Sequence, residues 1–136
     1  MLRVNWQGVA LGALAAYAVG FVWYGLLFDD HWMALTGVDP SRAGGAWAMA
    51  AGFLAVLLSA FGLDWVIRRT GSLGWLGGAR VGLSAALFFG LAVSANDFIY
   101  GVKPLQLIPI DFGYILMWFG AAGCIVGGLQ RRARLA

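Results

Sequence analysis

The sequence is poor in the residues that carry out most protein chemistry. Only 11% of its 136 residues are charged, and it has one histidine, His31, and one cysteine, Cys124. Because about a quarter of the residues in a soluble domain are charged, this composition excludes an ordinary soluble domain. One cysteine excludes an intramolecular disulfide, and one histidine supplies neither a zinc ligand set nor the pair of axial ligands of a typical haem site.

Apolar residues dominate instead, at 62% of the chain with a mean hydropathy of +0.83. A membrane-spanning helix needs roughly 20 predominantly apolar residues. Four segments meet this requirement, at about 6–28, 46–67, 77–95 and 107–129. The apolar run at 9–28 is too long for the core of a signal peptide, so it is interpreted as a retained helix. The sequence therefore predicts one all-α domain over 1–136, a polytopic membrane protein with a bundle of four transmembrane helices.

Small residues recur at every fourth position in the first and third predicted helices. Such spacing lines one face of a helix and lets another helix approach closely. We expect these two helices to pack against each other or against a second copy. The residues are Gly8, Gly12, Ala16 and Gly20 in the first helix and Gly78, Gly82, Ala86 and Gly90 in the third.

Basic residues predict the orientation in the membrane, because loops on the cytoplasmic side carry an excess of Lys and Arg. If the helices alternate in direction, seven basic residues lie on the side of the termini and two, Arg42 and Lys103, on the other. Both termini are therefore expected in the cytoplasm. The seven are Arg3, Arg68, Arg69, Arg80, Arg131, Arg132 and Arg134.

Polar residues gather between the third and fourth predicted helices, which makes this stretch the candidate functional site. Asp97 follows the predicted end of the third helix, where the helix dipole disfavours a carboxylate, so it is expected to pair with Lys103 or, from the first outer loop, with Arg42. Asp111, near the start of the fourth helix, is favoured by the opposite dipole end. The candidate polar cluster comprises Asn96, Asp97, Tyr100, Lys103, Asp111 and Tyr114.

Three other polar stretches have simpler interpretations. Asp64 and Arg68 are four residues apart and are expected to form an ion pair near the membrane interface, with a proton relay as the alternative. The connector at 29–45, which contains His31 and three acids, is interpreted as a hydrated loop rather than a divalent-metal site. The glycine-rich residues 70–80 are expected to form a flexible turn, because they lack the Lys-Ser/Thr of a phosphate-binding loop.

Three segments together resemble a known family. They are the pattern Gly-x-x-Trp-Tyr-x-x-x-Phe at 20–28, Asn-Asp-Phe-Ile-Tyr at 96–100 and Ile-Asp-Phe-Gly-Tyr at 110–114. In these segments the chain is similar to the bacterial family called domain of unknown function 1761. The resemblance implies a small four-helix protein of the bacterial cytoplasmic (inner) membrane. It implies no activity, substrate or catalytic residue.

The sequence favours a non-enzymatic interaction protein, a subunit of a homo-oligomer or of a larger membrane complex. The alternative is a permease or channel for a small solute or ion, with an outer mouth at Asn96, Asp97, Tyr100, Asp111 and Tyr114. An enzyme is not expected, because no nucleophile–base pair is evident and Cys124 lies in an apolar helix. The expected partners are membrane lipid and a second copy or another membrane protein. No cofactor, metal or nucleic acid is expected, since anionic lipid accounts for the basic tail.

Overall fold

The computed structural model describes residues 3–39, 41 and 44–135, with side chains through Gln130. Within these residues all regular structure is helical, and no strand is present. Four helices are long and apolar enough to cross a membrane, judged by length and composition, which defines a multi-pass membrane protein. We refer to them as the first to fourth spans: Trp6–Leu27, Gly45–Thr70, Trp75–Gly101 and Leu105–Gln130.

The described residues contain six α-helices and two turns of π-helix, and one of the α-helices, Asp29–Thr36, lies between the first and second spans. Trp23–Leu27 is a π turn that extends α1, and Ala86–Gly90 is a π turn that joins α4 to α5. A 3₁₀ turn at Leu105–Leu107 leads into α6. The α-helices are α1 (Trp6–Val22), α2 (Asp29–Thr36), α3 (Gly45–Thr70), α4 (Trp75–Ala85), α5 (Leu91–Gly101) and α6 (Ile108–Leu135).

The ends of the helices follow from local chemistry. Asn5 caps α1, because its Oδ1 accepts a hydrogen bond from the Gly8 N–H at 3.0 Å. Gly71, at φ +67°, ends α3 in the left-handed conformation that glycine adopts without strain. The turn that follows is attached to the bundle rather than free, since the Gly74 N–H donates to the Gly127 carbonyl at 2.9 Å.

The bundle is antiparallel, and α6 is its central helix. The start of α1 and the start of α4 both pack against the end of α6. We call this the terminal end of the bundle, and the end with residues 28–39, 41, 44–45 and 101–105 the loop end. The apolar core lies among α1, α3 and α6 and comprises Val9, Ala13, Ala16, Val56, Ala60, Leu63, Ile67, Ala122 and Val126.

The third span is longer than the sequence analysis predicts. It continues to Gly101 instead of ending at residue 95, so Asn96, Asp97 and Tyr100 lie on the helix. The expectation that Asp97 follows the end of this helix is therefore wrong. Polar residues alone do not stop a helix. The chain leaves the helix only where Val102 takes φ +52° and Pro104 follows, since proline restricts the residue before it.

The loop between the first two spans contains a helix that the sequence analysis missed. Asp29 and Asp30 lie in the first turn of α2, where the helix dipole favours carboxylates. Further along, the Ser41 hydroxyl and the Ser41 backbone N–H both donate hydrogen bonds to the Asp39 carboxylate. These bonds, with that of the hydroxyl as the larger cause, lower the pKa of Asp39. Arg42, one of the two basic residues predicted on the outer side, lies outside the described residues.

Candidate functional site

Asp111 links the first and fourth spans at the loop end. It lies in the first turn of α6, half-buried, and its Oδ1 accepts a hydrogen bond from the Tyr24 hydroxyl at 2.8 Å. The neighbouring Trp23 donates its indole N–H to the Ile110 carbonyl at 2.9 Å. Two successive residues of the first span therefore bind two successive residues of the fourth. Because these bonds join two different spans, they fix the position of one span along the axis of the other.

Aromatic rings surround this hydrogen bond. The Tyr24 ring lies 4.9 Å from the Tyr114 ring and 5.5 Å from that of Trp32, both nearly edge to face. Tyr114 has room because Gly20 has no side chain: a Cβ at Gly20 would lie 3.0 Å from the Tyr114 hydroxyl oxygen. The aromatic side chains thus hold Asp111 and Tyr24 in a partly desolvated setting.

The other acid of the candidate polar cluster is in a different environment. Asp97 forms an ion pair with Lys103, as its sequence position predicts, and the side chains are 59% and 37% exposed. Asn96 is exposed, and Tyr100 is 82% exposed. The six residues of the cluster therefore divide into an exposed group on α5 and its loop, and a half-buried pair, Asp111 and Tyr114, on α6.

A second polar group lies at the terminal end. Asp64 is fully buried, and its Oδ2 accepts a hydrogen bond from Arg68 Nε at 2.7 Å. This is the ion pair that the spacing of four predicts. The Asn5 backbone N–H lies 3.4 Å from the other oxygen of Asp64, which brings the start of the first span to the end of the second. Asp64 is the only acid with 0% exposure among the described residues.

Gln130 also belongs to the terminal end, and neither Gln130 nor Asn5 was identified from the sequence. Gln130 is 4% exposed, and its amide nitrogen lies 3.4 Å from the Arg3 carbonyl. Asn5 was detectable, because an asparagine directly before a periodic apolar run is a common helix cap. Gln130 gives no comparable signal, since a polar residue near the end of an apolar helix usually faces water.

The small-residue stripes of the first and third spans both face the fourth span. On α1, a Cβ at Gly12 would lie 2.9 Å from Val126 Cγ2. On α4, a Cβ at Gly78 or at Gly82 would overlap a backbone carbonyl of α6, that of Gly123 or Phe119 respectively. The two stripes therefore pack on two sides of one helix instead of against each other.

Other members of the stripes also contact α6 or are buried. A Cβ at Gly8 would lie 3.4 Å from Val126 Cα, and one at Gly90 would lie 2.6 Å from Ile115 Cγ2. Ala16 and Ala86 are fully buried. Sequence analysis did not identify the matching glycines of α6, Gly123 and Gly127, although their spacing of four is the same signal.

Both buried or half-buried carboxylates connect two spans. Asp111 accepts the Tyr24 hydroxyl of the first span, whereas Asp64 pairs with Arg68 of its own helix and lies 3.4 Å from the Asn5 backbone N–H before the first span. In residues 3–39, 41 and 44–135, the His, Cys and Asp side chains do not form a group of three that would surround a metal ion. His31 and Asp30 are exposed on α2.

A helical bundle with four apolar spans, cross-linked by buried polar groups, defines a small multi-pass membrane protein. The chain belongs to the family described as Protein of unknown function (DUF1761), whose model matches residues 7–127. This is the family that the patterns at 20–28, 96–100 and 110–114 indicate. Comparison with curated proteins and with solved structures finds no match.

Proposed function

We propose that the protein works by association, as a non-enzymatic subunit of a homo-oligomer or of a larger membrane complex. The observation that carries this proposal is a third stripe of small residues, on the second span. It follows the spacing four, three, four, three that suits a close left-handed crossing of two helices. Its members are Ala48, Gly52, Ala55, Ser59 and Gly62.

This third stripe differs from the other two because little of the chain covers it. Ala48, Ala55 and Gly62 are exposed, and a Cβ at Gly62 would meet no atom within 4 Å. Of the two glycines in the stripe, Gly52 has one neighbour, the Tyr17 ring, 3.8 Å from an added Cβ. A narrow groove of small residues on a lipid-facing helix lets a partner backbone approach, which supports contact with another helix over contact with mobile lipid chains.

The polar groups support the same proposal, since they already have partners inside the chain. Asp64, Asp97 and Asp111 bind Arg68, Lys103 and Tyr24 respectively. Carboxylates held in this way stabilise the bundle as a fixed unit. Such a unit presents helix surfaces to its surroundings, and these are the features that an interaction subunit requires.

The mass of the assembly after gentle extraction tests the proposal. We expect the wild-type protein as an oligomer or with a stoichiometric protein partner. Ala55→Leu should reduce the assembly to monomer, because the larger side chain fills the groove between helices. The matched control is Ala92→Leu, the same change at an exposed position of the third span. A wild-type monomer without a partner, or equal behaviour of the two variants, would contradict the proposal.

A permease is the second candidate, and a crevice near the loop end favours it. The crevice has a volume of about 180 Å³ and lies between the first, second and fourth spans, lined by Tyr17, Gly20, Met49 and Tyr114 among others. Tyr17 donates a hydrogen bond to the Met49 carbonyl at 3.1 Å, so the lining offers polar atoms. A transport site needs such groups within the spans.

Flux measurements in liposomes separate the two candidates. A permease would conduct a small ion or solute, and Tyr114→Phe would change its rate by removing a hydroxyl from the crevice. Tyr100→Phe, at an 82% exposed tyrosine, is the control. Absence of flux for monovalent cations, protons and small neutral solutes would leave association as the function.

A further inference from the structure

An apolar groove between the second and third spans opens to the side of the bundle at the terminal end. Its volume is about 400 Å³. Val66 of α3 and Val81, Phe88 and Phe89 of the third span form apolar walls. Arg80 and Ser84 also line it, on α4. The groove is thus apolar over most of its length and polar on one strip.

The polarity of the groove decreases along the axis of the third span. Arg80, Ser84 and Phe88 are spaced by four, so they lie near one face of the helix, each about 6 Å deeper than the last. From the terminal end inwards, the groove therefore presents a guanidinium, then a hydroxyl, then a phenyl ring. On the facing helix the order is the same, with Thr70 at the end of α3 and Val66 one turn deeper.

Arg80 is in an unusual position for a membrane helix. It is five residues into α4, about 7.5 Å along the axis from Trp75, and it is exposed on the side of the bundle. Within the described part of the chain it makes no hydrogen bond or ion pair. An arginine at this depth is costly unless an anion or water accepts its protons.

The surrounding charges select the kind of anion. Arg68 offsets the charge of Asp64, while Arg69 lies over the Trp65 ring, 5.4 Å from its centroid. Arg80 is therefore the cation that the groove presents, since among the described residues it is the basic residue in the lining. Arginine pairs with phosphate through two parallel hydrogen bonds, and basic pockets between spans bind anionic lipid headgroups.

We propose that this groove is a binding site for one anionic phospholipid. Its phosphate pairs with Arg80, its glycerol ester region lies at the level of Ser84, and an acyl chain lies along Phe88 and Phe89. The order guanidinium, hydroxyl, phenyl matches the order phosphate, ester, acyl chain, which a soluble anion or a protein segment does not reproduce. The readout is retained lipid rather than assembly mass, so this proposal succeeds or fails independently of association.

Native mass spectrometry of the whole protein tests the site. The purified chain is delipidated in mild detergent and titrated with phosphatidylglycerol or with phosphatidylcholine of the same acyl chains. We expect one phosphatidylglycerol per chain to be retained in preference to phosphatidylcholine. Arg80→Gln should weaken retention by about tenfold, because it removes a charge-assisted contact. Arg69→Gln, the matched loss of one positive charge, should leave retention unchanged.

A second variant keeps the test decisive if Arg80→Gln misfolds. Ser84→Leu preserves every charge and places a larger side chain in the groove at an exposed position. It should weaken retention of phosphatidylglycerol to a similar extent. Equal losses in Arg80→Gln and Arg69→Gln would overturn the proposal, as would equal retention of the two lipids. Displacement of the lipid by an excess of inorganic phosphate, or occupation of the groove by a co-purifying protein, would also overturn it.

Discussion

The three carboxylates of the spans lie in three environments. Asp64 is fully buried, Asp111 is half-buried beside aromatic rings, and the Asp97 side chain is 59% exposed. Solvent screens an exposed pair and lets its partners separate at little cost, whereas a buried charge needs its partner. The same substitution should therefore have different effects at the three positions.

Asp64→Ala should destabilise the protein strongly. It removes the buried carboxylate that pairs with Arg68 Nε, and breaking a fully buried pair typically costs about 3–5 kcal/mol. Because the Arg68 side chain is 15% exposed, we expect a loss of about 2–3 kcal/mol in the free energy of unfolding. Detergent-titration unfolding measures this loss. Asp97→Ala is the control and should cost less than about 1 kcal/mol; equal losses would contradict the assignment.

Tyr24→Phe should test the loop-end hydrogen bond by itself. The phenyl ring keeps the contacts with Trp32 and Tyr114, while the hydroxyl that donates to Asp111 is lost. We expect a loss of about 1–2 kcal/mol in the free energy of unfolding, since the acceptor is a carboxylate. The exposed Tyr100→Phe variant removes an identical group and should leave stability unchanged. A similar effect in both variants would exclude the Tyr24–Asp111 bond as its cause.

At the level of elements, glycine decides how closely α4 approaches α6. Gly78 and Gly82 of α4 meet backbone atoms of α6, and Gly123 and Gly127 of α6 meet α4 in return. Backbone atoms cannot rotate away as side chains do, so an added methyl group must push the helices apart. The loss of close van der Waals contact is then spread along the whole crossing.

Gly78→Ala should therefore cost at least about 3 kcal/mol, at the upper end for overpacking, because its Cβ would overlap the Gly123 carbonyl. Gly62→Ala makes the same change where no atom lies within 4 Å. It should be neutral or stabilise the helix by up to about 1 kcal/mol, as alanine favours helix over glycine. Unfolding titrations of the two variants make the comparison. A neutral Gly78→Ala would contradict the close contact of α4 with α6.

The four spans are predictable because the apolar runs are long and hydropathy is a local property. Helix ends are less predictable, because polar side chains interrupt an apolar run without ending the helix. Asn96 and Asp97 interrupt the apolar run, yet the helix continues until Val102 and Pro104 provide a stop. The π turns at Trp23–Leu27 and Ala86–Gly90 have no comparable sequence signal.

The candidate site was predictable only where partners are close in sequence. The pairs Asp64–Arg68 and Asp97–Lys103 follow from separations of four and six residues. The Tyr24–Asp111 bond spans 87 positions, and a single sequence contains no information on which distant residues meet. For the same reason, the sequence identifies the stripes but not that both face α6.

At the scale of the whole molecule, four alternating spans place the first and last described residues at one end of the bundle. The excess of basic residues predicts that this end faces the cytoplasm. The single native cysteine, Cys124, lies within the fourth span, so a Cys124→Ser background leaves the chain free for reporter cysteines.

In that background, Ser41→Cys should react with a membrane-impermeant maleimide added to intact cells, and Ser72→Cys should not. Ser41 lies in the exposed loop at the loop end, and Ser72 in the turn between α3 and α4 at the terminal end. Both should react after the membrane is permeabilised. The reverse labelling pattern would show that the termini face outwards.

The central position of α6 also governs the order in which the protein assembles during synthesis. The ribosome makes α6 after the other five helices, so the first and third spans enter the bilayer before the helix that joins them exists. Until residue 108 emerges, the faces that contain Gly12 and Gly82 have only lipid beside them. Final assembly of the bundle therefore waits for the last helix, and a chain interrupted before it leaves two spans without their shared neighbour.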